Sequence, residues 1–172
     1  MSVSMCGIVG SRSDTPGLLR KAGDAVLVER GRPRILLLKC PCGCGDELAI
    51  NVDPRAGRSW RMYRRKGAIT IFPSVWRDTG CESHFILWKD QILLFGNRND
   101  DYEVGKLENV DIASDVVLGA LPIDALASFQ HVAERIDALP WDVLATCRDL
   151  VRQGKAFEGT GKERGHFGRR LP

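Results

Sequence analysis

The chain has 172 residues, 44% hydrophobic and 27% charged, with a formal net charge of +3, the make-up of one globular domain with a real core rather than a disordered chain. No apolar run approaches the ~20 residues that a membrane helix needs, and so small a net charge singles out no polyanionic partner. Without a charged-then-apolar leader a cytoplasmic location is expected, where cysteines serve metals or catalysis rather than disulfides.

Residues 1–22 mix Ser, Gly, Asp and Pro around Leu18-Leu19 and read as a flexible arm. From Asp24 the pattern is that of strands. Ala25 to Glu29 and Ile35 to Lys39 flank a Gly31/Pro33 turn, which makes a hairpin. A cysteine-rich loop follows, then a strand from Glu47 to Val52 that Asp53-Pro54 ends. Trp60 to Arg64 alternates bulky and basic residues, as a half-exposed strand does, and Lys66-Gly67 turns it into Ala68 to Phe72. His84 to Trp88 and Ile92 to Phe95 form a third hairpin, apolar on both faces and so expected to be deeply buried.

Residues 97–110 are polar and acidic and read as a loop. One helix is expected from Pro122 to Ile136, on the spacing of Ile123, Leu126, Phe129, Val132 and Ala133, and a second from Pro140 to Gly154. Residues 155–172 form a basic, glycine-rich tail that reads as disordered. The expectation is therefore α+β: an arm over 1–22, a single domain over 23–154 built on about seven short antiparallel strands and two C-terminal helices, and a tail.

Three cysteines fall within five residues, Cys40-Pro41-Cys42-Gly43-Cys44, and Cys81-x-x-His84 follows some forty residues on. Thiols gathered this tightly point to a soft tetrahedral metal, zinc above all. Either Cys40, Cys42, Cys44 and Cys81 close the tetrahedron, or two of the clustered cysteines join Cys81 and His84. Cys6 and Cys147 stand apart and read as packing residues. The nearby reactive groups are Ser74, where a strand breaks after Pro73, and Ser83 beside His84. Neighbours on a strand face opposite ways, so Ser83 and His84 are a poor pair, and Ser74 with His84 is the better one. Asp46, Glu47, Asp53 and Glu82 are candidate orienting acids, and amides near Gly43 and Gly45 are candidate oxyanion donors. The cluster from Arg55 to Lys66 is basic, but a solvated strand edge explains it without nucleic acid.

These motifs, in this order over residues 23–96, resemble a small bacterial family encoded beside ubiquitin-like modifiers and their activating and conjugating enzymes, some of them in operons linked to phage defence. The resemblance implies a peptidase that matures or deconjugates a ubiquitin-like protein, with zinc on Cys40, Cys42, Cys44 and Cys81. It also implies that Ser74, Ser83 and His84 form or line the reactive site. The implied partners are the modifier, its conjugates and the pathway enzymes; neither nucleic acid nor a membrane is expected. The loop from Trp76 to Gly80 departs from the Gly-Asn-Trp type of many relatives, and Lys89-Asp90-Gln91 replaces their Asn-Gly turn. Two other readings compete: zinc-hydroxide hydrolysis with His84 as a ligand, and a non-catalytic zinc-stapled module that docks protein or nucleic acid on its arginine-rich strand.

Overall fold

Ala25, Val26, Leu27 and Val28 offer no polar side chain for a solvent face, so strand β2 (Asp24–Glu29) must be covered on both sides. In the computed structural model, which describes residues 1–95 and 110–170, it is. β2 is the second strand of a four-stranded sheet ordered β1 (Ser4–Val9), β2, β3 (Pro33–Lys39), β4 (Glu47–Asn51). The β2–β3 and β3–β4 pairs are antiparallel, and β1 runs parallel to β2. Side-chain alternation sends Ala25, Leu27, Leu36 and Leu38 into the main core with Ile50, Ile71, Phe85 and Leu87. Val26, Val28 and Leu37 turn the other way, into a second cluster with Leu19, rimmed by Leu18, Val9 and Cys6.

That second cluster accounts for the first departure from the sequence reading. Residues 1–22 supply β1 and the Leu18-Leu19 cover, because the back face of an all-apolar strand pair must be hidden. The chain start is tied down as well: the Val3 N–H donates to the Asp90 carbonyl (2.6 Å) and the Ile92 N–H to the Met1 carbonyl (2.7 Å).

The remaining strands of the first part close the other side of the core. β5 (Arg61–Arg65) and β6 (Ala68–Phe72) form a hairpin, and β7 (Val75–Trp76), β8 (His84–Trp88) and β9 (Gln91–Phe95) form a three-stranded sheet in that order. The two are pinned together at the β8–β9 turn. Asp90 accepts the Ile69 N–H on its carboxylate (2.8 Å), and its own N–H donates to the Ile69 carbonyl (2.9 Å). β8 is buried throughout, as its sequence suggests, but β9 is not: Gln91 and Leu94 face out. All seven expected strands are present, and in this first part β1 and β7 are additional. β7 has only two residues, too few to show a period.

Where the sequence reading has one domain over 23–154, the chain divides into two compact units, Met1–Asp100 and Asp101–Pro172. The loop expected at 97–110 lies outside the described residues except at its last position. The second unit holds α1 (Ser114–Ala120), β10 (Ala127–Ser128), α2 (Phe129–Arg135), α3 (Pro140–Arg152), β11 (Ala156–Glu158) and β12 (His166–Arg169). α3 follows the expected pattern, burying Trp141, Leu144, Cys147 and Leu150 from a Pro140 start. The helix expected from Pro122 begins only at Phe129, capped by the Ser128 hydroxyl on the His131 N–H. Upstream of it the tail takes the backbone: Ile123 bridges Arg169, and Ala127–Ser128 pair with β12. The glycine-rich tail is thus a hairpin, in which β11 and β12 are antiparallel. A side chain on Gly168 would collide with the Ala125 carbonyl and the Phe157 ring, so that glycine marks close packing rather than looseness. The observed class is α+β, with three α-helices among the described residues in place of two. Among the described residues no helix is long and apolar enough to cross a membrane.

Candidate active site and metal centre

The end of β3 delivers Cys40 into a tight loop. The Cys40 N–H donates to the Asp46 carbonyl (2.8 Å), and the Gly43 N–H donates back to the Cys40 carbonyl (3.2 Å). Gly43 and Gly45 sit at φ 87° and 88°, a region costly for any residue with a side chain. The curl gathers Cys40, Cys42 and Cys44, and the loop before β8 adds Cys81. All four sulfurs lie within 4.8 Å of one another. The Cys40–Cys42 and Cys40–Cys81 separations are 3.3 and 3.6 Å. Sulfurs bound at ~2.3 Å to one tetrahedral ion stand about 3.8 Å apart, so the donor set fits a metal ion of that kind. His84 is not a member of the group among the described residues. All six cysteines are free of disulfides.

The electrostatics of Cys42, Cys44 and Cys81 point the same way. Burial pushes the Cys42 thiol up to about 12 against the opposing Cys44 backbone N–H, with the side chains of Cys40, Cys44 and Cys81 adding to the rise. At Cys44 the Asp46 backbone N–H pulls down, but burial and the contacts with Cys81 and Cys40 leave the thiol raised. At Cys81 burial is outweighed by the Ser83 N–H and by hydrogen bonds from Cys42, Ser83 and Cys40, which bring it down to about 6. One thiolate is solvated by its neighbours while further charge is resisted. A divalent cation removes that conflict by taking the sulfurs as thiolates.

Arg77 lies against this cluster. Its guanidinium donates to an Asp46 carboxylate oxygen (2.5 Å) and approaches the sulfurs of Cys81 (3.6 Å) and Cys44 (4.0 Å). The side-chain hydrogen bond from Arg77, with its charge, holds the Asp46 carboxyl below the usual range. The sequence reading missed Arg77, because a single arginine four residues before a cysteine carries no pattern.

Ser83 and His84 diverge as strand parity requires. Val75 pairs with Phe85 and Trp76 with His84; Val75 and Phe85 point into the main core. Trp76 and His84 therefore share the other face. The buried His84 ring lies 5.1 Å from the Phe95 ring and 6.5 Å from that of Trp76, which is partly exposed. Ser83, one residue earlier, is on the cysteine side, its Oγ 3.4 Å from Cys40 Sγ. Ser74 stands immediately before β7, where the Trp60 indole N–H donates to its carbonyl (3.1 Å).

The other expected participants are engaged elsewhere. Asp46 serves Arg77, Glu47 pairs with Lys39 (3.7 Å), and the buried Asp53 takes both Arg55 (2.8 Å) and Arg34 (3.2 Å). Glu82 is exposed. The Gly43 amide, a candidate oxyanion donor, is used inside its own loop. Within the basic stretch, Arg55 and Arg64 are neutralised by Asp53 and Glu29, as on an ordinary solvated strand edge.

Residues 11–95 match the family described as the bacterial ubiquitination-like system serine protease, BubE. This part of the chain resembles that family. The match begins twelve residues before the start expected from the motifs, so it includes Leu18 and Leu19, which line the second cluster. No curated protein and no solved structure matches the chain.

Proposed function

We propose that this chain cleaves after the C-terminal glycine of a ubiquitin-like protein, with Ser74 as nucleophile, His84 as general base, and a structural zinc on Cys40, Cys42, Cys44 and Cys81. The serine-protease part of this reading rests on the family. The choice of serine rests on one observation: the Ser83 hydroxyl is engaged with Cys40, whereas His84 faces the opposite side. In this scheme Ser74 Oγ attacks the glycine carbonyl and its proton passes to His84. The tetrahedral intermediate collapses, the leaving amine takes that proton, and a water activated by His84 then hydrolyses the acyl-enzyme. The exposed Trp76, beside His84 in the register, is a flat apolar surface suited to a tail without side chains.

Zinc contributes to folding in this reading. Four sulfurs saturate a tetrahedral ion and leave no position for water, which counts against zinc-hydroxide chemistry. The ion would tie the end of β3 to the loop that starts β8, and so hold the strand carrying His84. The same enzyme could serve precursor maturation and deconjugation, since both end at the same glycine, and the pathway's activating and conjugating enzymes are its natural neighbours. The test is cleavage of a ubiquitin-like protein extended beyond its terminal glycine. The wild type and Ser83→Ala should release the extension, and Ser74→Ala and His84→Ala should not. Release by Ser74→Ala at the wild-type rate would remove the proposed nucleophile.

A further inference from the structure

We infer that Arg77, oriented by Asp46, is the counter-cation of the four-cysteine centre: its guanidinium offsets thiolate charge and so sets how tightly the metal is held. The inference rests on the metal reading above, not on the peptidase reading. Four thiolates around a dication leave two negative charges in a partly buried place. Such a centre needs nearby positive charge or N–H donors.

The geometry supplies both through one side chain. The Arg77 guanidinium reaches Cys81, on one side of the centre, and Cys44, on the other, while Asp46 fixes its orientation from the cysteine loop itself. Its backbone is also held, the Arg77 N–H donating to the Ser83 carbonyl (3.0 Å). The chain makes room for it at Gly80, where a Cβ would stand 3.0 Å from an Arg77 guanidinium nitrogen. A planar fork can donate to a carboxylate and to sulfurs at once, which a lysine ammonium matches only as a point charge. If Arg77–Asp46 were instead an ordinary surface ion pair, its removal would leave metal binding unchanged.

The test follows zinc leaving the full-length, zinc-loaded chain for a chromogenic chelator, with circular dichroism as a check on folding. Zinc content of the wild type is measured first; a folded, zinc-free wild type overturns the metal reading, and this inference with it, without touching the peptidase reading. Arg77→Gln should release zinc at least about tenfold faster than wild type, as loss of an outer-sphere partner does elsewhere. Arg77→Lys and Asp46→Asn should fall in between. Arg64→Gln, which breaks the Glu29 pair on β5, should stay within about twofold of wild type, the scale of a surface pair. Release by Arg77→Gln within about twofold of wild type overturns the inference, as does an equal acceleration by Arg64→Gln. Should Arg77→Gln not fold, Arg77→Lys and Asp46→Asn decide it: acceleration in both supports it, and wild-type rates in either overturn it.

Discussion

Ser83 Oγ lies 3.4 Å from Cys40 Sγ, forty-three positions away in the chain. The residue next to the candidate base therefore lies against the cysteine loop, and His84 faces the other way. Ser83→Ala should leave peptide cleavage near the wild-type rate and affect the metal site instead. Loss of one hydrogen bond of ~1 kcal/mol corresponds to about fivefold faster zinc release. Parallel assays of cleavage and zinc release check this; abolished cleavage with unchanged release would make Ser83 the nucleophile.

Zinc removal should be a folding event. The four cysteines join β3 to β8, so Cys42→Ser and Cys81→Ser should each lower the thermal midpoint sharply and bind less than one zinc per chain. Cys6→Ser, away from the cluster, should not. Metal analysis with thermal melts reads both. A Cys81→Ser protein that melts as the wild type does would show that the cluster contributes nothing to stability.

The two halves of the chain were not equally legible. Apolar runs such as Ile35 to Leu38 and His84 to Trp88 announce buried strands because they leave no face for water. The cysteines announce a shared site because only convergence explains such crowding, and strand parity separates Ser83 from His84 before any coordinates. Leu18-Leu19 looked like an arm because its partner surface, the back of β2 and β3, is made of residues distant in sequence. The helix over 122–128 was lost to β12, a long-range pairing that local spacing cannot report. The pairing of Arg77 with Asp46, which the sequence offers only as a candidate orienting acid, escapes for a related reason: an arginine's role depends on what lies within reach of its long side chain, thirty-one positions away here.

The β8 strand is held by its core face. Phe85 is fully buried among Leu27, Leu36, Ile71 and Leu87, so Phe85→Ala should cost about 3–5 kcal/mol. Leu94→Ala, on an exposed position of β9, should cost far less. Urea titrations of both variants measure the difference, and equal midpoints would contradict the assignment of the two faces.

Asp53 makes acid sensitivity predictable. Its hydrogen bonds to the Arg55 side chain lower its pKa well below the ordinary carboxylate value, burial opposes this, and the Arg55 N–H and the charges of Arg55 and Arg34 add to the lowering. A depressed folded-state pKa means stability that is fully present above the unfolded value of about 3.9 and lost as pH falls below it. Asp53→Asn should therefore be less stable than the wild type at pH ~5 and approach it at pH ~2.5. Urea midpoints at the two values test this; a gap that widens in acid would contradict it.

The most direct measurement is single-turnover cleavage of a ubiquitin-like protein carrying a short extension after its terminal glycine, by the wild type, Ser74→Ala, His84→Ala and the double variant. Two groups acting on one proton transfer should be non-additive. The account predicts that each single variant loses nearly as much activity as the double one, while all four proteins keep their fold and equal zinc. Full activity in Ser74→Ala, or loss of zinc from His84→Ala, would contradict it.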